Sequence, residues 1–364
     1  MSLIRHRSLC VAAGAATAAL FLTACTGGSA QSGGASGAAQ SGGAQSGTAG
    51  AKITVLSHDS FEFPEELLTE FTEKTGITVT IQAVGDGGTL ANQMVLSKDA
   101  PQGDVVYGID NTVAYRLKGE KVIADAGITS PNAALDLASQ PGLIPIDHGD
   151  VCVNFDKKWF EAKGLTPPAS FEDLTKPEYK DLLVAMNPAS STPGMAFMLS
   201  TINHFGEDKW AEYWKGLKNN GLKVTSGWSD AFSVDYSAGE GAGLRPMMVS
   251  YGSSPAYSVT DDGSATTTGA IPATCYRQVE YAGVIEGSES PEAAAQFVEY
   301  MLTPKVQEAI SEVTYMYPVN PEAKVPETLT TFGPLTEKPV LLPADKVAEK
   351  SEEWLKTWQD TVQG

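Results

Sequence analysis

The sequence predicts an α/β fold of two lobes, with a ligand cleft at a hinge between them. Strand-like and helix-like patterns alternate from Lys52, are interrupted by the proline-rich segment 167–177, and then alternate again. The chain from Lys52 to Gly364 is long enough for two lobes with separate cores. Lobes joined by more than one extended crossing form a hinge, and ligands bind at the carboxyl ends of the strands in such sheets.

The first lobe is predicted at 52–155, and the chain returns to it at about 276–315. Apolar alternation indicates its strands and amphipathic periodicity its helices, with Gly76 ending the first helix. In chain order the predicted elements are strand 52–57, helix 64–75, strand 77–84, helix 90–98, strand 104–109, helix 111–118 and strand 150–155. This alternation is typical of a mostly parallel sheet.

The second lobe is predicted at 156–275, and a C-terminal segment at 316–364 is expected to pack on the lobes. The predicted elements of the second lobe are helix 156–163, strand 182–186, helices 193–204 and 208–217, and strand 245–250. The returning chain is predicted to form strand 274–285, helices 291–302 and 304–313 with proline at their starts, and the terminal helix 344–358.

The N-terminal residues 1–24 have the parts of a secretory signal, with Arg5 and Arg7 ahead of an apolar run and small residues before Cys25. The run is too short to span a bilayer as a mature helix. Leu22-Thr23-Ala24-Cys25 matches the pattern that bacterial lipoprotein processing requires. We therefore expect an exported protein, anchored by lipidated Cys25 to the outer face of the cytoplasmic membrane. The alternative is an ordinary signal peptide with an incidental cysteine.

The segment 25–51 is predicted to be this lipidated cysteine followed by a flexible tether. After Cys25 it contains only Gly, Ser, Ala, Gln and Thr, a composition that buries too little apolar surface to offset the entropy of ordering. Such a tether would let the folded part rotate and tilt above a membrane.

The chain is acidic, with 25 basic and 44 acidic residues and a formal net charge of −19. Loss of Arg5 and Arg7 with the leader leaves 23 basic against 44 acidic residues, a charge of −21. This charge disfavours nucleic acid and anionic lipid surfaces as partners. It would attract a cationic ligand, although solubility alone also explains it.

Cys152 and Cys275 are the two cysteines outside the leader and anchor. An even pair in an oxidising compartment favours a disulfide over two free buried thiols. No CxxC or histidine spacing supports a metal site at these residues.

No catalytic residue, metal site or cofactor is predicted. The run Gly227-Trp228-Ser229-Asp230-Ala231 lacks the last glycine of an esterase nucleophile elbow, and the four histidines form no metal-binding spacing. The glycine-rich runs 85–88 and 239–243 complete no nucleotide fingerprint and indicate turns.

Aromatic residues stand at strand ends and turns, where binding residues often lie: Trp228, Tyr251, Tyr257, Tyr315 and Tyr317. Each alone is more often a rim or core contact. Together they could form a box that stacks on a flat or cationic ligand, with about 0.5–2 kcal/mol for each cation–π contact.

Acidic and hydroxyl residues provide the polar half of such a site. Asp59 and Asp110 each follow a predicted strand, at the carboxyl end where this architecture binds ligands. Both could instead cap helices. The run 190–194 likewise suits a helix cap, and its amides and hydroxyls would also suit a phosphate.

Eight short motifs stand in a specific order: 57–61 (SHDSF), 108–111 (GIDN), 145–149 (PIDHG), 191–194 (STPG), 227–231 (GWSDA), 250–257 (SYGSSPAY), 278–280 (QVE) and 315–319 (YMYPV). In these motifs, and over most of 53–319, the chain resembles the thiamine-binding proteins of bacterial ABC importers. That family belongs to the type II solute-binding proteins. The resemblance implies a two-lobed periplasmic-binding-protein-like fold that captures thiamine or its phosphates and delivers it to a permease with its ATPase.

The resemblance also implies which residues bind. Trp228, Tyr251 and Tyr257 would surround thiamine, and Tyr315 stands where the family can show a tryptophan. The polar and cationic parts of the ligand would face Asp110 and Asp59, with Ser60 beside Asp59. A phosphate would be received by Ser191, Thr192 and Gly194. Cys152 and Cys275 fall in the two segments that look like hinge strands, so a disulfide between them would stiffen the hinge.

Two alternatives remain. One is the same fold with another solute, such as a polyamine, ferric iron or an inorganic anion. The chain has no Tyr-Tyr pair of the kind that ferric binders commonly place on the metal, whereas carboxylates with aromatics would also serve a polyamine. The other alternative is a thiamine-degrading enzyme, which would need Cys152 or Cys275 as a free thiolate in the cleft.

Overall fold

A computed structural model describes residues 48–138 and 140–364. The predicted leader 1–24, Cys25 and most of the predicted tether lie outside these residues. The last residues assigned to the tether are folded, which corrects that prediction. Thr48 is buried, and the Gly50 amide donates to the carbonyl oxygen of Gly76 over 2.9 Å. The folded part therefore includes Thr48 and does not start at Lys52.

The strands are β1 (Lys52–His58), β2 (Thr78–Gly85), β3 (Val105–Asp110), β4 (Ile144–Asp156), β5 (Leu183–Met186), β6 (Lys223–Thr225), β7 (Met247–Tyr251), β8 (Thr268–Val284) and β9 (Tyr317–Pro318). The helices are α1 (Glu65–Thr75), α2 (Gly87–Leu96), α3 (Lys157–Lys163), α4 (Thr192–Phe205), α5 (Trp210–Asn219), α6 (Trp228–Asp230), α7 (Ser254–Tyr257), α8 (Pro291–Met301), α9 (Pro304–Thr314), α10 (Glu327–Phe332) and α11 (Ala344–Val362).

The predicted helix 111–118 is wrong in its first half. Only a short 3₁₀ helix, Ala114–Leu117, forms there. The cause is the Asp110 side chain, whose Oδ1 accepts hydrogen bonds from the amides of Thr112 and Val113. These local bonds stabilise a turn in place of a helical start.

The nine strands of the described residues form one sheet, in the order β2-β1-β3-β8-β4-β7-β5-β6, with β9 beside β4. At one end β1 runs parallel to β2 and β3, and at the other end β5 runs parallel to β6 and β7. In the centre, β4 and β8 are antiparallel to each other and to their outer neighbours. The predicted mostly parallel sheet is therefore wrong at the centre, because one strand leaves the first lobe and the other returns to it.

The two crossing strands belong to both lobes. Their pairing runs from Ile144 opposite Ala282 to Asp156 opposite Thr268. We use "first lobe" for β1–β3, the C-terminal part of β8 and helices α1, α2, α8 and α9, and "second lobe" for β5–β7 with helices α3–α7. The predicted boundaries at 155 and 275 lie within these shared strands.

The cores do not separate by lobe as predicted. One apolar cluster contains Leu56 and Val106 of the first lobe together with Val184 and Phe197 of the second. A second cluster, which includes Val55, lies on the first lobe. Because the sheet is continuous, apolar side chains on one of its faces stay in contact across the hinge.

The C-terminal segment contacts both lobes. Helix α11 packs on α5, where the rings of Trp358 and Trp214 meet edge to face at 5.5 Å, and it also reaches the turn Ala114–Leu117. Within the described ranges, no helix combines the length and apolar character needed to cross a membrane.

Candidate ligand-binding site

A cleft of about 420 Å³ lies between the two lobes. The first lobe lines it with residues that follow β1, with side chains of β3 and β8, and with the end of α9. The second lobe lines it with residues from α6, the end of β7 and α7. Among the sequence-predicted site residues, its wall contains Asp59, Ser60, Trp228, Tyr251, Tyr257 and Tyr315.

Five aromatic rings form a row along this wall. Trp228 lies 6.1 Å from Tyr251 on one side and stacks on Phe232 at 4.8 Å, with 9° between the planes, on the other. Phe232 continues to Tyr257 at 6.0 Å, and Tyr257 meets Tyr315 edge to face at 5.6 Å. We call these five residues the aromatic row. It extends from the second lobe to Tyr315 of the first lobe.

Trp228 is held at three points. Its backbone amide donates to Asp86 Oδ2 over 2.9 Å, and its indole Nε1 donates to Ser250 Oγ over 2.9 Å. The stacked ring of Phe232 fixes the plane of the indole. These contacts direct the ring so that it lines the cleft.

Tyr315 reaches the cleft through an unusual backbone conformation. It ends α9 with φ of 57°, in the left-handed region that few residues other than glycine adopt. Its amide still donates to the carbonyl oxygen of Ser311 over 3.1 Å, which caps the helix. A tyrosine at such a position indicates that its side chain has a role beyond helix termination.

The buried side chains of Tyr107, Asp147 and Glu280 meet at the first-lobe side of the cleft. The hydroxyl of Tyr107 contacts Asp147 in a short hydrogen bond and lies 3.0 Å from Glu280 Oε2. Burial, and then the neighbouring charge of Glu280, raise the pKa of Asp147 well above its usual value. Burial also opposes ionisation of Glu280, but His58 and the hydrogen bonds around it lower its pKa. The pair therefore holds one proton on Asp147 and one negative charge on Glu280.

His58 stands beside that charge. Its Nε2 lies 3.7 Å from Glu280 Oε2, and its Nδ1 lies 3.0 Å from Ser60 Oγ. Burial disfavours the imidazolium, but Glu280, followed by Asp86 and Asp59, raises the pKa of His58 above 6.5. Protonation of His58 would neutralise the cleft's buried carboxylate.

Asp59 and Ser60 lie at the mouth of the cleft. Both are exposed, and Asp59 Oδ1 accepts a hydrogen bond from Ser229 Oγ of the second lobe over 2.9 Å. This contact bridges the two lobes.

Asp110 does not line the cleft and is fully buried. Its Oδ1 accepts from the amide and hydroxyl of Thr112 and from the Val113 amide. Burial raises the pKa of Asp110 to about 7. These hydrogen bonds stabilise the turn after β3, and direct contact of Asp110 with a ligand stays a prediction.

Ser191, Thr192 and Gly194 also stand behind the wall. Ser191 Oγ caps α4 by accepting from the Gly194 amide at 3.3 Å, and the Thr192 amide donates to Asp86 Oδ1 at 2.9 Å. Both hydroxyl residues are buried, and a Cβ on Gly194 would lie 2.6 Å from the Met186 carbonyl oxygen. The phosphate role of this run stays a prediction, because a neighbouring carboxylate already uses the Thr192 amide.

Sequence reasoning missed His58, Tyr107, Phe232, Asp86 and Glu280. The sequence does contain one signal for Glu280, because it is an acidic residue inside a long apolar strand pattern. Burial of a carboxylate costs free energy unless it has a partner, so such a residue points to a functional or paired group. His58 and Glu280 also lie in two of the motifs quoted above. Phe232 and Asp86 gave no such signal, since an aromatic residue in a helix and an aspartate before glycines are common.

The site can bind a flat cation, with ring faces along one wall and a buried carboxylate on the first lobe. Cys152 and Cys275 form a disulfide between β4 and β8, and neither lines the cleft. Within the described residues, no thiol nucleophile therefore faces the cleft.

This fold and site define an extracytoplasmic solute-binding protein. Residues 57–308 match the family of bacterial extracellular solute-binding proteins, and the chain belongs to that family.

The names of individual relatives also state a ligand. The chain is 28% identical over 314 residues to a thiamine-binding periplasmic protein of Brucella melitensis, covering 84% of this chain and 91% of the relative. It is 29% identical over 325 residues to a thiamine-binding periplasmic protein of Escherichia coli K12, covering 85% of this chain and 93% of the relative. A solved periplasmic thiamin-binding protein superposes with a TM-score of 0.73 at 25% identity, covering 85% of this chain and 96% of that one. These matches also confirm the predicted two-lobed type II fold.

Proposed function

We propose that this chain captures thiamine outside the cytoplasm and delivers it, chemically unchanged, to the permease of an ABC importer. The observation that carries this proposal is the aromatic row together with the charge on Glu280 in one cleft. The relatives named as thiamine-binding proteins support the same ligand.

The chemistry of thiamine suits this pairing. Its thiazolium ring carries a fixed positive charge and has no N–H donor, so it must be recognised through its face and by nearby negative charge. The rings of Trp228, Tyr251, Tyr257 and Tyr315 would offer the faces. Glu280 would supply the charge from inside the protein, where screening is weaker than at the surface. Asp59 and Ser60 would contact the ligand at the mouth of the cleft.

Two of the predicted ligand-binding groups would not contact the ligand directly in the conformation described here. Asp110 is buried behind the wall and would influence the ligand through its charge. The run with Ser191, Thr192 and Gly194 would reach a phosphate only if Asp86 moved away from the Thr192 amide.

We also propose that lipidated Cys25 tethers the protein to the outer face of the cytoplasmic membrane, close to the permease. The lipobox and the small-residue segment that follows it support this anchor. Closure of the lobes around the ligand would then create the surface that the permease recognises.

Polyamine binding is the second candidate, since the same rings and carboxylates would attract a linear polycation. The thiamine-degrading enzyme loses its chemical basis, because a disulfide-bonded cysteine cannot act as a thiolate nucleophile. The aromatic row favours a flat ligand over a flexible chain.

Calorimetric titration of the full-length chain tests the proposal, with thiamine, spermidine and ferric citrate as parallel ligands. We expect tight one-to-one binding of thiamine and recovery of unaltered thiamine from the complex. Binding of spermidine or iron without thiamine binding would keep the fold and reject the ligand. Conversion of thiamine during the titration would reject the transport role.

A further inference from the structure

The chain passes between the lobes a third time, after the two crossing strands. We call residues 319–343 the strap. It begins at the first lobe, where the Val319 amide donates to Gln307 Oε1 of α9 over 2.8 Å. It contains α10 and ends at α11, which packs on α5 of the second lobe. The strap therefore connects the lobes in addition to β4 and β8.

A buried carboxylate holds the strap on the crossing strands. Asp150 of β4 is 2% exposed, and its Oδ1 accepts a hydrogen bond from Arg277 Nε of β8 over 2.6 Å. Its Oδ2 accepts from the Thr336 amide of the strap over 2.7 Å. The Val340 amide donates to the Cys275 carbonyl oxygen, and the Val340 carbonyl oxygen accepts from the Arg277 amide, each over 2.9 Å. Since a buried charge is costly to leave without partners, Asp150 fixes the strap at Thr336.

The strap packs directly against the backbone at the start of α7. A Cβ on Gly333 would lie 2.6 Å from Ser253 Cα and 2.8 Å from Ser253 O. The Ser253 carbonyl oxygen accepts from the Ala256 amide over 2.9 Å, so α7 begins from this residue. Helix α10 also lies against α7, and the Tyr317 hydroxyl donates to the Gly333 carbonyl oxygen over 3.2 Å. The position of the strap thus sets the position of α7.

Helix α7 brings two groups to the wall of the cleft. Tyr257 is its last residue and contacts neighbours in the aromatic row on both lobes. Ser254 Oγ lies 3.0 Å from Ser250 Oγ, which accepts from the Trp228 indole. A helix of four residues is not stable by itself, so packing must hold it in place. The strap provides such packing.

We propose that the strap positions the second-lobe wall of the cleft: Asp150 fixes the strap on the crossing strands, and Gly333 passes that position through α7 to Tyr257. Asp150 and Gly333 are positioning residues, because neither lines the cleft. The expected effect on ligand affinity rests on the proposed function, whereas the expected effect on α7 does not.

Hydrogen exchange of the ligand-free, full-length chain tests the contact with α7. Gly333→Ala adds one methyl group where φ is −132°, which suits alanine, so the Ser253 contact is its main target. Amides of 253–258 should exchange roughly tenfold faster in Gly333→Ala and in Asp150→Asn, whereas amides of α1 should keep the wild-type rate. Asp150→Asn keeps the size of its side chain and remains informative if Gly333→Ala does not fold. Glu337→Gln removes an exposed charge from the strap and should change neither rate.

A double-mutant cycle with thiamine tests the route through Tyr257. By calorimetry, Gly333→Ala should weaken thiamine binding roughly tenfold, but by less than about threefold in a Tyr257→Ala background. Equal losses in both backgrounds, or wild-type exchange of 253–258 in both Gly333→Ala and Asp150→Asn, would overturn the positioning proposal. Faster exchange throughout the chain, α1 included, would show general destabilisation and overturn it as well. Absence of thiamine binding to the wild-type protein would overturn the proposed function, and hydrogen exchange would still decide the role of the strap.

Discussion

Acidic side chains around the cleft differ in state although the sequence shows only aspartates and glutamates. Glu280 keeps its charge because His58 and hydrogen bonds offset its burial, whereas Asp147 is held protonated beside it. Asp110 is buried, with its pKa raised to about 7, and Asp59 is exposed at the mouth. The environment of each residue therefore decides which acids can act on a cationic ligand.

At the residue scale, Trp228→Ala should weaken thiamine binding by about 2 kcal/mol, or roughly thirtyfold in Kd, because it removes the ring that lies between Tyr251 and Phe232 in the aromatic row. Trp228→Phe should lose less, since a ring face remains. Titration calorimetry measures both effects. Trp159→Phe is a matched control, since Trp159 packs on Phe160 at 5.1 Å and does not line the cleft. An equal loss in this control would show a general effect on folding.

Thiamine affinity should rise with pH through the pKa of His58, which lies above 6.5. The protonated imidazolium pairs with Glu280 and opposes a cationic ligand, and deprotonation frees the carboxylate. Asp86 and Asp59 also face His58 and raise its pKa. The free energy of unfolding of the free protein should change in the opposite direction. Because the pKa of His58 is raised in the folded state, its stabilising contribution is lost as the pH rises through that pKa.

Calorimetry between about pH 6 and pH 8.5 measures this dependence. His58→Gln keeps a polar side chain and should flatten the profile. The same slope in both proteins would assign the titration to another group.

At the element scale, the turn from β2 into α2 and the turn before α4 hold the lobes together. The Thr89 amide donates to the Ser190 carbonyl oxygen over 2.9 Å, next to the Asp86 contact. Glycine-rich residues 85–88 indicated only a turn in the sequence. Their close approach to residues 190–192 makes that turn a point of contact between the lobes.

Gly88→Ala should push the lobes apart, because its Cβ would lie 2.6 Å from the Ser190 carbonyl carbon. We expect roughly tenfold weaker thiamine binding and a larger radius of gyration of the liganded protein by X-ray scattering. Gly216→Ala is the control, since its Cβ would meet only Thr175, at 3.4 Å or more. An unchanged radius with unchanged affinity would contradict the role of this contact.

The disulfide joins the two crossing strands at Cys152 and Cys275. The double variant Cys152→Ala/Cys275→Ala should lose about 2–4 kcal/mol in the free energy of unfolding, measured by urea denaturation, because the closed loop restricts the unfolded chain. Peptide mass analysis after alkylation should show modification of Cys152 and Cys275 only after reduction. Ready alkylation of Cys152 or Cys275 in the native, unreduced protein would refute the bridge.

At the scale of the whole molecule, one continuous sheet joins the two lobes, and they share an apolar core. The strands β4 and β8 cross between the lobes and would act as the hinge, and the cleft is lined from both lobes, so ligand contacts with both would favour closure. Chain segments far apart in sequence meet there, such as the α9 end with Tyr315 and the α7 end with Tyr257.

Cys25→Ser should release the exported protein from the membrane fraction, because it removes the thiol that lipidation requires. Fractionation followed by mass measurement of the mature N-terminus tests this. Cys10→Ser changes the cysteine inside the leader and should leave the anchor intact. A Cys25→Ser protein that stays with the membrane would show a different mode of attachment.

The sequence by itself determined the order of most of the longer strands and helices, the α/β class and the aromatic residues at turns, because periodicity and turn chemistry are local properties. The resemblance carried by its motifs added the two-lobed type II fold. Only the tertiary structure decided that the sheet is continuous and antiparallel at its centre. It also decided that Glu280 and His58 meet in the cleft, and that Asp110 and Thr192 lie behind its wall. These outcomes depend on burial and on contacts between residues that lie far apart in the chain, such as Asp86 with Thr192 and Trp228, and no local pattern encodes such contacts.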